Sequence, residues 1–368
     1  MCPLLRQTLV CLALVTSLAC CELPPRENGE AAESICLGTD SKEQPLVFDD
    51  SRRRLVYPYR MCGNNSEGEL FTGFRLHLAC LGDSRGAFRP PAEYLDGRLP
   101  IRAACARINP AVVERQARLD GLSPTEAAAE AVGVGVTAGA RVPRAEGTGC
   151  RAFRVGMRVP LSDNSSFFHT VYEFCWSDDD KHAIWVINPL NPLVTAMSVN
   201  RSQSLESLID KGVRTKFRYV PSVFGGSETA EIYNPKPFFA VENQRTSGAV
   251  PELCQRDSFS RGHLAPSGDF VLASERWATF MLENVVPQWQ THNNGPWKAI
   301  EQRARSMVGG VLALTVPSFP PSDRLRYLDQ KGARIPVPDK IAKFVFDKRG
   351  QVLYEAESPM RSSDTGCC

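Results

Sequence analysis

Little in this chain sorts it quickly into a class. Its net charge is only +2 over 368 residues. That near-balance neither announces nor excludes a polyanionic partner, because local clusters of charge outweigh the total. None of its 13 cysteines falls in a C-x-x-C pair, so the usual ligand spacing of a structural zinc site is missing. After the first residues, no stretch is apolar enough to span a bilayer as a helix. Histidine is scarce at five residues, so each one can be asked what it does.

What is present begins with a leader. The opening "MCPLLRQTLVCLALVTSLACC" carries one early arginine, an apolar run from Thr8 to Ala19, and small residues at Ser17, Ala19 and Cys21. This predicts a secretory signal peptide over residues 1–21 and a secreted product with no membrane anchor, since the run is shorter than the ~20 residues of a spanning helix. Export in turn lets cysteines pair and persist. Cys36, Cys62, Cys80, Cys105, Cys150, Cys175, Cys254, Cys367 and Cys368 survive cleavage, an odd set whose connectivity the spacing leaves open. Sequons at Asn64, Asn164 and Asn200 mark glycosylation sites on the surface of an exported protein.

A hydrophobic content of 43% supports a real core. Residues 22–149 read as a small β-rich, disulfide-stapled accessory module, with strand-like runs "PLVF", "RRRLVYPY" and "LFTGFRLHLACLG". It ends in an alanine-rich helix capped by Ser123 and a Gly-Ala-Val stretch without sustained period. Residues 150–368 form the second domain. "FRVGMRVPL", "FFHTVYEFCW" and "AIWVINPL" are strand candidates, and "GGVLALTV" and "KIAKFVFD" are later ones. Between them, "DFVLASERWATFML" has near-helical spacing. In "NNGPWKAIEQRARSMV", Pro296 suits a first helical position, and Trp297, Ile300, Ala304, Met307 and Val308 share an apolar face. The order of elements predicts an α+β fold.

Phosphodiester hydrolysis at neutral pH needs a base to activate water, a cation to offset charge on the phosphate, and donors to hold it. Histidine suits the first role, and activity should then fall as pH drops through its pKa, ordinarily near ~6.5. Mg²⁺ suits the second, because it takes oxygen ligands and keeps several waters. Such a site leaves a sparse trace. Here the trace is "SRGH" at His263, then "NVVPQ" at Asn284, then "NNGPWKAIE" at Asn293 and Glu301. Taken singly, His263 after Arg-Gly reads as a turn residue, Asn293 as a helix cap, and Glu301 as a partner of Arg305.

Taken together, the three elements resemble the DNA/RNA non-specific endonuclease family, the ββα-metal nucleases, whose pattern runs D-R-G-H, N-x-x-P-Q, N-x-G-x-W-x-x-x-E. The resemblance implies a ββα-metal domain with a central antiparallel sheet and flanking helices. It also implies a metal-dependent endonuclease that cleaves DNA, RNA or both with little sequence specificity and leaves 5′-phosphate ends. His263 would be the general base and Asn293 the direct ligand of one Mg²⁺, for which Mn²⁺ could substitute. Arg261 would contact the phosphate, Asn284 would help position base and substrate, and Glu301 would hold waters of the metal shell. His169, His182 and His292 receive no role. Ser260 departs from the family aspartate, and "LTVPSF" lacks the Gly-Pro common at that strand end. The N-terminal module and paired cysteines resemble the secreted invertebrate branch. The competing reading is a catalytically disabled nucleic-acid-binding protein on the same fold.

Overall fold

The computed structural model describes residues 111–133, 150–160, 165–192, 194–195, 216–224, 257–329 and 334–362, together with short strands between 34 and 108. The expected leader, the three sequons and the side chains of all cysteines except Cys150 and Cys175 lie outside the described residues.

Seven strands precede the larger unit: β1 (Ser34–Gly38), β2 (Leu46–Asp49), β3 (Arg54–Leu55), β4 (Arg60–Met61), β5 (Glu67–Phe71), β6 (Leu76–Leu81) and β7 (Arg102–Ile108). They form a three-stranded sheet, β1-β5-β4, and a four-stranded sheet, β3-β2-β6-β7. The larger unit is built on seven strands: β8 (Val112–Arg115), β9 (Arg151–Pro160), β10 (Ser166–Ser177), β11 (His182–Pro189), β14 (Gly310–Ser318), β17 (Lys340–Asp347) and β18 (Val352–Pro359). Their spatial order is β18-β17-β14-β11-β10-β9-β8, and every pairing is antiparallel. The fold is α+β around this large antiparallel sheet.

The sheet does not begin at residue 150. β8 pairs with β9, and helix α1 (Pro124–Val132) lays Ala127 and Ala128 against the same core as Trp185 and Phe344. Both elements come from the segment that composition assigned to the accessory module. α1 starts as its sequence suggests, because Ser123 forms a capping box with Glu126, and it ends at Gly133 with φ 75°. The Cys150–Cys175 disulfide joins the residue just before β9 to β10 with a Cα separation of 5.5 Å.

Strand alternation sorts the sheet into two faces. Leu312, Leu314, Val316, Ala342, Phe344 and Phe346 face α1. Met157, Tyr172, Phe174, Trp176 and Ile341 pack on the other side, against the elements that carry the "SRGH" and "NNGPWKAIE" motifs. The elements on that side are α2 (Pro221–Phe224), β12 (Phe259–His263), α3 (Ala273–Ala278), β13 (Val285–Trp289), α4 (Lys298–Arg305) and the strand pair β15 (Arg326–Asp329) and β16 (Arg334–Val337). α3 is shorter than the near-helical spacing suggested. α4 is preceded by a helical turn at Gln290–His292 and a π-type turn at Asn293–Trp297, broken at Gly295. Asn293 therefore lies inside the turn rather than capping a helix that starts at Pro296. Val308 lies beyond the end of α4 and is exposed.

The motif-side face also holds polar residues with no exposed surface: Asn188, Thr315 and Lys343 on the sheet, and Asp269 above it. Thr315 and Lys343 are register partners. Lys343 Nζ donates to Thr315 Oγ1 at 3.0 Å and lies 3.9 Å from Asp269 Oδ2. Asp269 also accepts from Asn188 Nδ2 at 3.2 Å and from Arg305 Nε at 2.7 Å. One buried carboxylate thus joins β11, β17 and α4. Removing one member of a buried ionic cluster leaves the others uncompensated, at a cost of roughly 3–5 kcal/mol. Asp269→Asn is accordingly expected to lower unfolding stability by about that amount, measured by urea denaturation; a shift under about 1 kcal/mol would show that the cluster is not held by this charge.

Candidate active site

"SFSRGHLAPSGDF" reads as a turn, yet its centre is a strand. β12 pairs antiparallel with β13, setting Ser260 opposite Gln288, Arg261 opposite Pro287 and His263 opposite Val285. The "SRGH" and "NVVPQ" motifs are the two halves of one ladder. Gly262 is required by close packing: a Cβ there would come within 2.1 Å of Gln288 Cδ, and Gln288 is fully buried. The glycine that suggested a turn in the sequence allows a side chain from the partner strand to cross it.

Arg261 and His263, two apart on β12, share a face, and both meet Phe217. The Arg261 guanidinium carbon lies 4.6 Å from the Phe217 ring centroid, and the His263 ring lies 5.3 Å from it. Phe280 closes the other side of His263, edge-on at 5.0 Å. The two phenylalanines meet because Arg218 N–H donates to the Phe280 carbonyl at 3.0 Å and Leu282 N–H to the Arg218 carbonyl at 2.8 Å. Their rings flank the imidazole on two sides. Burial, and then the adjacent Arg261 charge, pull the His263 pKa down to about 4. Its Nε2 is buried and has no hydrogen-bond partner among the described residues.

The chain after His263 is clamped. Asn284 accepts from Ala265 N–H at 2.9 Å and donates from Nδ2 to the carbonyls of Ala265 and Thr279, each at 2.9 Å. With 0% exposure its carboxamide is committed to the backbone beside His263. Thr315 Oγ1 donates to the Leu264 carbonyl at 2.9 Å, which couples the same residues to Lys343 and Asp269.

Asn293 reaches β12 through Ser260: its Nδ2 donates to Ser260 Oγ at 3.2 Å, and Ser260 Oγ donates to the Gln288 carbonyl at 3.1 Å. Its Oδ1 has no hydrogen-bond partner among the described residues. Glu301, on the first turn of α4, lies 3.6 Å from Arg305, which itself holds Asp269. Burial raises the Glu301 carboxyl to about 7 against the pull of Arg305 and Lys343. No three His, Cys, Asp or Glu side chains gather into a metal cage among the described residues. An amide oxygen and a carboxylate are hard donors, and that sparse set suits a cation such as Mg²⁺, which fills its shell largely with water.

His263, Arg261, Asn284, Asn293 and Glu301 are thus linked through β12, its following loop and the Asp269 cluster. Sequence reasoning missed Phe217, Phe280, Asp269, Thr315 and Lys343. Lys343 left one signal, a lone cation inside the apolar run "KIAKFVFD". His292 is buried with Nε2 2.8 Å from Ser358 Oγ, and His169 pairs with Glu275 at 2.9 Å; both serve packing.

The family model for DNA/RNA non-specific endonucleases matches residues 150–365. The salivary endonuclease of Lutzomyia longipalpis is 25% identical over 219 residues, covering 55% of this chain and 47% of its own. The mitochondrial nuclease EXOG of Danio rerio is 30% identical over 163 residues, covering 44% of this chain and 38% of its own. The match thus spans less than half the length of these curated relatives. A crystal structure of EndoG with EndoGI is similar over 54% of this chain and 75% of that one, at 18% identity and a TM-score of 0.33. The family match takes in more than half of the 368 residues and all three motifs: the chain belongs to the DNA/RNA non-specific endonuclease family.

Proposed function

We propose that this chain is a secreted, Mg²⁺-dependent endonuclease that hydrolyses phosphodiester bonds of DNA, RNA or both with little sequence preference. The observation that carries this reading is the placement of His263 and Arg261 on one strand, which also holds Asn293 through Ser260. Family nucleases are generally dependent on a divalent metal. Export is supported by the leader-like start and by the Cys150–Cys175 disulfide, which fits an oxidising compartment. The names of the relatives point to saliva and to mitochondria. No described helix is long and apolar enough to cross a membrane.

In the proposed mechanism, the His263 imidazole accepts a proton from the attacking water as the water oxygen bonds to phosphorus. The bond to the 3′ oxygen breaks, leaving a 5′-phosphate; the departing oxygen takes a proton from solvent to become a 3′-hydroxyl, and the imidazolium returns its proton to solvent. Arg261 offsets the charge that builds on the phosphate oxygens, and its stacking on Phe217 limits where the guanidinium can swing. Asn293 Oδ1 would hold the Mg²⁺, and Glu301 would order its water shell; when bound, the cation supplies charge neutralisation at the phosphate and leaving group. A cation beside Glu301 also favours its carboxylate form. Residues 22–110 act as an accessory module in this reading, and the catalytic unit begins at β8.

His263→Ala should reduce plasmid nicking by about 10²–10⁴-fold, the usual scale for losing a general base, and EDTA should abolish nicking by the wild type. Nicking by the variant at the wild-type rate would remove His263 as the base, and a wild type that binds but does not nick plasmid with Mg²⁺ would favour the disabled nucleic-acid-binding reading. The lowered pKa also moves the expected acid limb. Neutral imidazole is the proton-accepting form, and with a pKa of about 4 in the fold it persists well below the ordinary ~6.5. The His263 ring resonances, followed by NMR, should therefore hold their neutral shifts from pH 7 to pH 5; a midpoint near 6.5 would contradict the desolvated environment. A chain starting at residue 111 should fold and nick plasmid, whereas one starting at 150 lacks β8 and α1 and should lose cooperative unfolding by circular dichroism.

A further inference from the structure

Ser260 stands where the family pattern has aspartate, and its hydrogen bonds define what that change does. A serine hydroxyl owns one proton and two lone pairs. Ser260 gives its proton to the Gln288 carbonyl across the β12–β13 ladder at 3.1 Å. Any polar group that meets the hydroxyl from another side must then be a donor. Asn293 meets it at 3.2 Å, and only the nitrogen of its carboxamide can donate. Turning the amide over would set oxygen against oxygen with no proton between them. Proton accounting thus selects one of the two amide orientations, which density alone rarely distinguishes.

We propose that Ser260 is a positioning residue: by spending its proton on Gln288 it holds Asn293 Nδ2, and so presents Asn293 Oδ1 as the oxygen donor for a divalent cation. The proposal rests on the reading of Asn293 as a metal ligand. A hard cation binds amide oxygen and not amide nitrogen, so the orientation of this one group decides whether Asn293 is a ligand at all. The ladder makes the arrangement stiff. Gly262 lets Gln288 cross β12 closely, and the Ser260–Gln288 register fixes the acceptor that consumes the hydroxyl proton. Aspartate at position 260 would also accept from Asn293 Nδ2, but it would face the Gln288 carbonyl without a proton to give. Serine satisfies both neighbours and adds no charge. The same orientation is kept, without the carboxylate's attraction for the ion.

The test is Mn²⁺ binding to the full chain without nucleic acid, read from the free-ion EPR signal, with unfolding midpoints measured alongside. Ser260→Ala should raise the Mn²⁺ dissociation constant about tenfold, in the range typical for losing a residue that orients a ligand, while the unfolding midpoint stays near the wild type. Ser260→Thr, which keeps the hydroxyl, should bind within about twofold of the wild type. Ser260→Asp, an acceptor, should bind at least as tightly as the wild type, and it keeps the proposal open to refutation if the alanine variant fails to fold. Unchanged binding by Ser260→Ala, or weaker binding by Ser260→Asp, overturns the proposal. If Asn293→Ala loses Mn²⁺ while Ser260→Ala does not, only the role of Ser260 falls. If Asn293→Ala binds as the wild type does, the metal reading of Asn293 falls with it.

Discussion

The buried carboxylate of Asp269 is the constraint on which the site depends. It has no exposed surface and receives Asn188 from β11 and Arg305 from α4, with Lys343 of β17 3.9 Å away. Fixed charges in a low-dielectric interior tolerate little displacement, because each partner that moves away leaves a charge unpaired. Asp269 lies six residues after His263, and Arg305 lies on the helix of Glu301. The loop that follows His263 and the helix that carries Glu301 are thereby tied to the same spot on the sheet. Thr315 extends the tie to Leu264, the residue beside His263.

Against that frame, local environment divides the roles. Phe217 and Phe280 shield the His263 ring, and Arg261 adds positive charge, so the imidazole pKa falls to about 4. Burial drives Glu301 the other way, to about 7. Burial thus shifts the two groups in opposite directions, because it disfavours the charged form of each. A neutral imidazole is ready to accept a proton, and a raised carboxyl responds to any cation placed beside it.

Much of this was legible in the residues. The five site residues sit in three short motifs whose chemistry is local, and β9, β10, β11, β14 and β17 announce themselves through aromatic and β-branched alternation. β8 and β18 were not announced: they edge the sheet, and "VVER" and "VLYEAESP" carry charged residues that lower their strand signal. The Arg-Gly of "SRGH" suggested a turn because the need for glycine came from Gln288, on a strand distant in sequence. Thr315 and Lys343 gain their meaning only when β14 and β17 bring them beneath Asp269 and Leu264. Asn284 shows the same limit, since its motif was plain while its commitment to Ala265 and Thr279 was not.

The account stands on His263 as the proton acceptor in phosphodiester hydrolysis. The most direct measurement is chemical rescue: plasmid nicking by His263→Ala with Mg²⁺ across a series of imidazole concentrations and pH values. The account predicts that nicking returns in proportion to the neutral imidazole present, with no comparable gain in the wild type. A variant that stays inactive through the whole series, or that nicks at the wild-type rate without imidazole, contradicts it.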